Sequence, residues 1–285
     1  MKILVTGGKG QLGCEINKIH LNYNFDWLFS DNDTFDLYDL KNINFFLDKC
    51  NPHIIINCAA YTGVNNSEDD FETANTINHK AVELISKWCN NNNSKLIHIS
   101  TDYVFDGNSI FPYVETDQTN PLNNYGVTKL LGEVACLKYN PSSIIIRTAW
   151  LYSSFGNNFV KHMINLMKSK SELNIIEDQV GSPTFAADLA EVILQIININ
   201  FWKPGIYHYT NLGKVSWFDF ANDVKSISGF DVHIAAVSTS EYFQQAIRPK
   251  YSVLDNSKIK NTFDINQINY LDSLNKCIKI LQNKS

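Results

Sequence analysis

Arginine is nearly missing from this 285-residue chain: only Arg147 and Arg248 are present, and no lysine-rich run or basic helix takes its place. With a formal net charge of -5, the sequence carries no electrostatic footprint for nucleic acid or an anionic membrane, so an anionic ligand must be held by local groups. Long apolar runs are lacking too. No stretch approaches the length of a membrane span, and the start MKILVTGGKG has no secretory apolar core behind a basic region, which makes the cytoplasm the expected compartment. The cysteines (Cys14, Cys50, Cys58, Cys89, Cys136, Cys277) form no CxxC pair and have no histidine at metal-ligand spacing. They are expected to be reduced and mostly buried.

What is present is apolar and periodic. At 44% hydrophobic, the chain can bury a full core as one large domain or two coupled ones. Through the first half, short apolar runs alternate with amphipathic stretches: KILVTG and a helix from about Gly10, WLFSD and a helix from Asp39, HIIINCAA and a helix from Glu68, KLIHIST and a helix near Asn123, then SIIIRTAW. Continuously apolar strands joined by helical crossovers predict an α/β fold, a doubly wound parallel sheet of Rossmann type. After Trp150 the rhythm loosens. A helix over Asn158 to Met167, a strand ELNIIED, a helix through Leu189, Val192, Ile193, Ile196 and Ile197, strands GIYHYTN and DVHIAAV, a capping box at Ser216 and Asp219, and a final helix over Leu271 to Leu281 predict a smaller C-terminal lobe. The expected division is a dinucleotide-binding domain over 1–150 and a mainly substrate-binding lobe over 151–285, some segments of which return to the first.

TGGKGQLG follows the first strand directly and opens a helix, placing Gly7, Gly10 and Gly13 in a G-x-x-G-x-x-G pattern. Glycines there let the backbone turn sharply and approach a pyrophosphate, whose charge meets the helix N-terminal amides. Asp31 falls about 20 residues on, at the end of the second strand, where a carboxylate accepts from a ribose 2′-hydroxyl and repels a 2′-phosphate. That favours NADH, but the nearby Asp33 and Asp36 blur which carboxylate is used, and both cofactors stay open.

Residues 125–129 read YGVTK. With 13 tyrosines and 22 lysines (24 Lys plus Arg, less two arginines) in 285 residues, about one Y-x-x-x-K is expected by chance, and one is found. Context gives it meaning: positions four apart share a helix face, and the helix follows the strand ending in IHISTDYVFDG, so both meet at the carboxyl edge of the sheet. There Thr101 can donate to a substrate carbonyl, Tyr125 can hand it a proton and Lys129 can bias the tyrosine. A phenol near 10 is a weak donor, and a cation at about 4 Å lowers its pKa by up to about 3 units, less whatever desolvation takes back.

These blocks, together with INCAAYTGVNNSED, NPLNNYGVTKLLGE, RTAWLYSSFGNNFV, DQVGSPTFAADLA, GIYHYTNLGKVSWFDFA and IRPKYSVLD, run nearly end to end. The chain resembles the dTDP-4-dehydrorhamnose reductase family of extended short-chain dehydrogenase/reductases. The resemblance implies reduction of the C4 ketone of a dTDP-4-dehydro-sugar by NADPH or NADH, with Thr101, Tyr125 and Lys129 as the catalytic trio. It also implies cofactor contacts from Gly10, Gln11, Leu12, Asp36, Leu37, Ala59, Ala60, Tyr61 and Thr62, which join Gly7, Gly13 and Asp31 of the turn and second strand and the pair Tyr125 and Lys129. Thr101, Asp102, Tyr103, Trp150 and Arg248 fall on the substrate side. Arg248 suits a diphosphate through bidentate bonding, its alternative being a surface salt bridge; Trp150 can stack on a sugar or base. Arg147 reads as a structural ion pair or a cofactor-side contact, and His98 and His208 as satisfied core residues. Some family members use Mg²⁺, chiefly for assembly; no octahedral oxygen cluster is visible here, no metal ligand is assigned, and Mg²⁺ and a homodimer stay open. One departure stands out: the usual V-D-x-A-E reads Val64, Asn65, Asn66, Ser67, Glu68, losing a carboxylate at Asn65. Two other functions compete, a non-catalytic nucleotide-binding subunit like the regulatory partner of methionine adenosyltransferase, and a nucleotide-sugar epimerase or dehydratase that recycles a tightly held nicotinamide.

Overall fold

β1 (Lys2–Thr6) is apolar because both of its faces are covered, with Ile3 and Val5 facing one layer and Leu4 the other. The computed structural model of the protein describes residues 1–199 and 201–283. After β1 come α1 (Gln11–Ile19), β2 (Asp26–Phe29), α2 (Ile43–Cys50), β3 (Ile54–Asn57), α3 (Asn66–Asp69), α4 (Phe71–Asn75), a π turn at Thr76–Lys80 and α5 (Ala81–Asn91). β4 (Lys95–Thr101), α6 (Asn124–Tyr139) and β5 (Ile144–Thr148) complete the regular alternation. Then follow β6 (Leu151–Tyr152), α7 (Phe159–Met167), β7 (Glu172–Ile176), β8 (Val180–Gly181), β9 (Thr184–Phe185), α8 (Ala186–Asn198), β10 (Gly205–His208), β11 (Val215–Ser216), α9 (Trp217–Ser228), β12 (His233–Val237), α10 (Ser257–Phe263) and α11 (Tyr270–Gln282).

The main sheet is the expected doubly wound one. Its six strands run in the order β10-β5-β4-β3-β1-β2, every pair parallel. Leu12 and Ile16 of α1, the apolar stripe of α8 and Ile259 of α10 cover one face; Ile43 and Leu47 of α2, Val82 and Ile85 of α5 and Cys136 of α6 cover the other. Each fully buried Ile or Leu contributes about 1.5–3 kcal/mol, so this double layer is the main source of stability. A second core joins α7, α9 and α11 through Met163, Phe220, Val224, Leu274 and Ile278, beside the parallel pair β7–β12. β10 and α8 lie late in the chain yet pack on the first core.

Two helix starts differ from the sequence reading. The helix expected from Asp39 begins at Ile43, because the Asp39 carboxylate accepts from the Asn42 amide and its backbone is spent in turns, Asp39 N to Asp36 O at 3.3 Å and Asn42 N to Asp39 O at 3.1 Å. The helix expected from Glu68 breaks at Asp70 (φ -126°, ψ 57°), which caps α4 by accepting from Thr73 N at 3.2 Å, before the chain widens into the π turn. The capping box forms as expected, Ser216 Oγ accepting from Asp219 N at 3.0 Å. Only three cysteines are fully buried (Cys89, Cys136, Cys277); the other three are half-buried. No helix among the described residues is long and apolar enough to cross a membrane, and among them no group of three or more His, Cys, Asp or Glu comes together to hold a metal ion.

Candidate active site

The strand order reverses at β1, with β2 on one side and β3 on the other, so the loops after β1 and β3 open a crevice at the carboxyl edge. Two glycines are obligatory there. Gly7 has φ +67°, and a Cβ on it would lie 2.8 Å from Ala59 N; a Cβ on Gly13 would lie 2.3 Å from Gly7 O. The two loops touch backbone to backbone, and Thr6 Oγ1 pins them by accepting from Ala59 N at 3.2 Å and donating to Asn57 Oδ1 at 2.6 Å. α1 begins at Gly10 with no side-chain cap, so its first amides are left to a ligand, and the bare glycine cradle fits a dinucleotide pyrophosphate.

A cleft of about 810 Å³ runs from this turn to the end of β4. Gly7, Gly10, Gln11, Leu12, Gly13, Asp31, Asp36 and Leu37 line one end, Ala59, Ala60 and Thr62 one side, and Thr101, Asp102, Tyr125, Lys129 and Trp150 the other end. Tyr61, expected among them, is absent from the wall. Its backbone N–H and C=O are taken by Asn78, whose amide also donates to Thr128 Oγ1 on α6 at 3.1 Å. Asn78 sits in the π turn, a local widening that turns its side chain inward; nothing in the sequence periodicity marks it.

Asp31 is not a bare carboxylate. Its Oδ1 accepts from the amides of Asp33 and Thr34, both at 3.1 Å, and its Oδ2 lies 2.6 Å from Lys9 Nζ, which also reaches Asp33 at 2.7 Å. The Lys9 ammonium is the main cause holding the Asp31 carboxyl below its usual range. Asp36 Oδ1 accepts from Tyr38 N at 2.9 Å. Lys9 lies in the quoted glycine block but was not singled out from sequence.

At the far end, Thr101 Oγ1 donates to Asp102 Oδ1 at 3.1 Å and accepts from Tyr103 N at 3.2 Å, and its hydroxyl lies beside the Tyr125 phenol. The Tyr103 ring meets that of Tyr125 edge to face, with centroids 5.8 Å apart. Lys129 is buried and donates to Ile99 O at 2.6 Å; burial lowers its pKa to about 8, opposed mainly by Glu133. The expected acidification of the phenol is not what the structure gives. Burial pushes Tyr125 up to about 12; Thr101 offsets part of this, Asp102 adds to it, and the Lys129 ammonium, turned to the Ile99 carbonyl, is not among the causes. Burial likewise raises Asp102 to about 7.

Behind the trio lies a fully buried ion pair. Arg147 gives Nε and Nη2 to Glu133 at 2.9 and 2.7 Å, so of the two readings left open for it the structural pair holds. Ser100 Oγ donates to the same carboxylate at 2.5 Å. His208 is satisfied as expected, bonding Tyr113 O at 3.0 Å, but His98 is only half so: Nδ1 meets Asn57 at 3.1 Å while Nε2 has no partner among the described residues.

Trp150 is held at φ +46°, a conformation that costs a non-glycine residue on the order of 1 kcal/mol or more. Its ring lies flat on Trp217, with centroids 3.4 Å apart and planes at 3°. Trp217 and Arg248 line a second cavity of about 520 Å³, together with His162, Gln179 and Tyr242. The alternative of a surface salt bridge for Arg248 does not hold among the described residues: its guanidinium donates to neutral oxygens, Asn65 Oδ1 at 2.9 Å and Gln244 Oε1 and Ala246 O at 3.1 Å. Asn65 is neutral, and among the described residues no carboxylate pairs with Arg248. Trp217 went unremarked in the sequence because an aromatic at a helix start reads as packing.

A family model, the RmlD substrate binding domain, matches residues 1–283. The dTDP-4-dehydrorhamnose reductase of Aggregatibacter actinomycetemcomitans is 38% identical over 280 residues, covering 93% of this chain and 94% of that one. The crystal structure of a dTDP-4-dehydrorhamnose reductase from Clostridium acetobutylicum superposes with a TM-score of 0.95 at 41% identity, covering 99% of this chain and all of the other. The Bacillus anthracis reductase, solved in complex with NADP, gives 0.93 at 34% identity, covering 98% and 99%.

Proposed function

The chain belongs to the dTDP-4-dehydrorhamnose reductases described by the RmlD substrate binding domain and is an NAD(P)H-dependent enzyme of that family; on that premise we propose that it reduces the C4 ketone of dTDP-4-dehydro-L-rhamnose with Tyr125 as the proton donor. The observation that carries the reading is a single cleft with the uncapped glycine turn at one end and Thr101, Tyr125 and Lys129 together at the other. A bound reduced nicotinamide supplies the hydride.

Tyr125 gives its phenolic proton to the C4 oxygen as hydride adds to C4, so the C=O double bond becomes a C–O single bond with new C–H and O–H bonds, and a phenolate is left, to be reprotonated from water. With its pKa near 12 the phenol is fully protonated at neutral pH, which is the competent state for an acid, and transfer to an alkoxide, a stronger base than a phenolate, runs downhill. Thr101 lies beside the phenol, and its single hydroxyl proton, given to Asp102 Oδ1 at 3.1 Å, turns to the ketone when substrate binds. Lys129 has three donors and spends one on Ile99, which leaves two that would hold the cofactor's ribose hydroxyls.

Arg248 is the proposed diphosphate clamp: a guanidinium with neutral partners keeps its full charge for a dianion. The second cavity is then the nucleoside seat, with Trp150 and Trp217 between it and the catalytic end. On this reading residues 1–150, with β10 and α8, serve the cofactor, and most of the remainder serves the sugar nucleotide.

The test is to offer dTDP-4-dehydrorhamnose with NADPH and NADH separately and follow loss of the reduced-nicotinamide absorbance. Stoichiometric oxidation with formation of the C4 alcohol supports the reading. Binding without oxidation points to a regulatory subunit, and tightly held NAD⁺ without net consumption points to an epimerase or dehydratase.

A further inference from the structure

Two carboxylates, Asp31 and Asp33, stand where the adenosine ribose of a dinucleotide is recognised, and one exposed ammonium spans both at 2.6 and 2.7 Å. We propose that Lys9 is the residue that admits a 2′-phosphate to this site and so sets the preference between NADPH and NADH; the inference rests on the cofactor reading above.

Three observations carry it. First, the trio of Lys9, Asp31 and Asp33 has a net charge of -1 where the two carboxylates alone would present -2 to a phosphate dianion, and a carboxylate after the second strand otherwise excludes that group. Second, Lys9 cannot drift from the site: it lies between Gly8, whose amide is bonded to Ser30 O at 2.7 Å, and Gly10, whose amide is bonded to Gly7 O at 2.9 Å, so its backbone is tied to the end of β2. Third, its side chain is 72% exposed, so the four-carbon stem is free to move the ammonium off the carboxylates. Asp31 needs no help to stay in place when this happens, because its Oδ1 is held by the Asp33 and Thr34 amides and the Thr34 hydroxyl.

With NADH, Lys9 stays with Asp33 and Asp31 Oδ2 accepts from the ribose 2′-hydroxyl. With NADPH, Lys9 turns to the 2′-phosphate, exchanging its two carboxylate partners for a dianion. Removing Lys9 therefore penalises the phosphorylated cofactor selectively, by about ten- to a hundredfold, the scale of one charge-assisted hydrogen bond.

Direct binding tests this without turnover. NADPH, NADH, 2′,5′-ADP and 5′-ADP are titrated by calorimetry into the wild type, Lys9→Ala, Lys9→Arg and Asp33→Asn. The expected result is that Lys9→Ala lowers the NADPH-to-NADH affinity ratio, and the 2′,5′-ADP-to-5′-ADP ratio, at least tenfold. Lys9→Arg restores both, and Asp33→Asn raises both by releasing Lys9. Unchanged ratios in Lys9→Ala overturn the inference while leaving the cofactor site intact; a wild type that binds none of the four ligands overturns the cofactor reading and the inference with it.

Discussion

Replacing Lys129 by Met should remove catalysis and yet relieve the folded state of a burden whose size depends on pH. Lys129 is 2% exposed, and burial lowers its pKa from 10.5 to about 8. Below pH 8 both states carry the proton, and the folded state bears the full cost of burying the charge, about 3 kcal/mol for a shift of this size. Between about 8 and 10.5 the unfolded chain binds a proton that the folded chain has released, so stability rises with pH across that window. From pH 7 to pH 10 the wild type should therefore gain roughly 2.5 kcal/mol relative to Lys129→Met, in which this titration is absent. Loss of the bond to Ile99 O costs the variant about 1–3 kcal/mol at both pH values and cancels in the comparison. Urea denaturation of both proteins at the two pH values measures the difference, since titrations common to both largely drop out. A stability gap independent of pH would refute the reasoning, because it would mean that Lys129 titrates alike folded and unfolded.

Other consequences follow from the same geometry. Ketone reduction should decline as pH rises through about 8, where Lys129 loses its charge while the phenol at about 12 keeps its proton; a pH–rate profile under saturating cofactor checks the direction. Asn78→Ala leaves the Tyr61 amide and carbonyl without their partner, so it should cost about 2–4 kcal/mol by denaturant melt and raise the cofactor KM several-fold. Arg147→Met strands Glu133 in the core and should destabilise by about 3–5 kcal/mol, a loss visible in the same melt.

Much of this was legible in the sequence because it is local. The apolar runs at Ile54–Asn57 and Ile144–Thr148 could only be doubly covered strands, and the β1 turn demanded glycines wherever two backbones meet. Spacing placed Tyr125 and Lys129 on one helix face, and the strand before it brought in Thr101. What was not legible depends on tertiary surroundings. The phenol pKa follows burial and the Asp102 charge rather than the lysine four residues on, since that lysine is turned to a carbonyl of β4. Asn78 gains its place from a π turn, which leaves no periodic signature, and Tyr61 leaves the cleft wall because of it. Lys9 acquires its partners only when the first turn folds against the loop after β2. The second cavity assembles Asn65, Trp217 and Arg248 from three distant segments, and only the arginine had a chemistry that sequence could name.

The central claim is that one phenol protonates the C4 oxygen. Tyr125→Phe, assayed with dTDP-4-dehydrorhamnose and NADPH alongside a direct measurement of NADPH affinity, isolates it. The account predicts cofactor binding close to wild type with reduction slowed by about two to four orders of magnitude; turnover near the wild-type rate would contradict it.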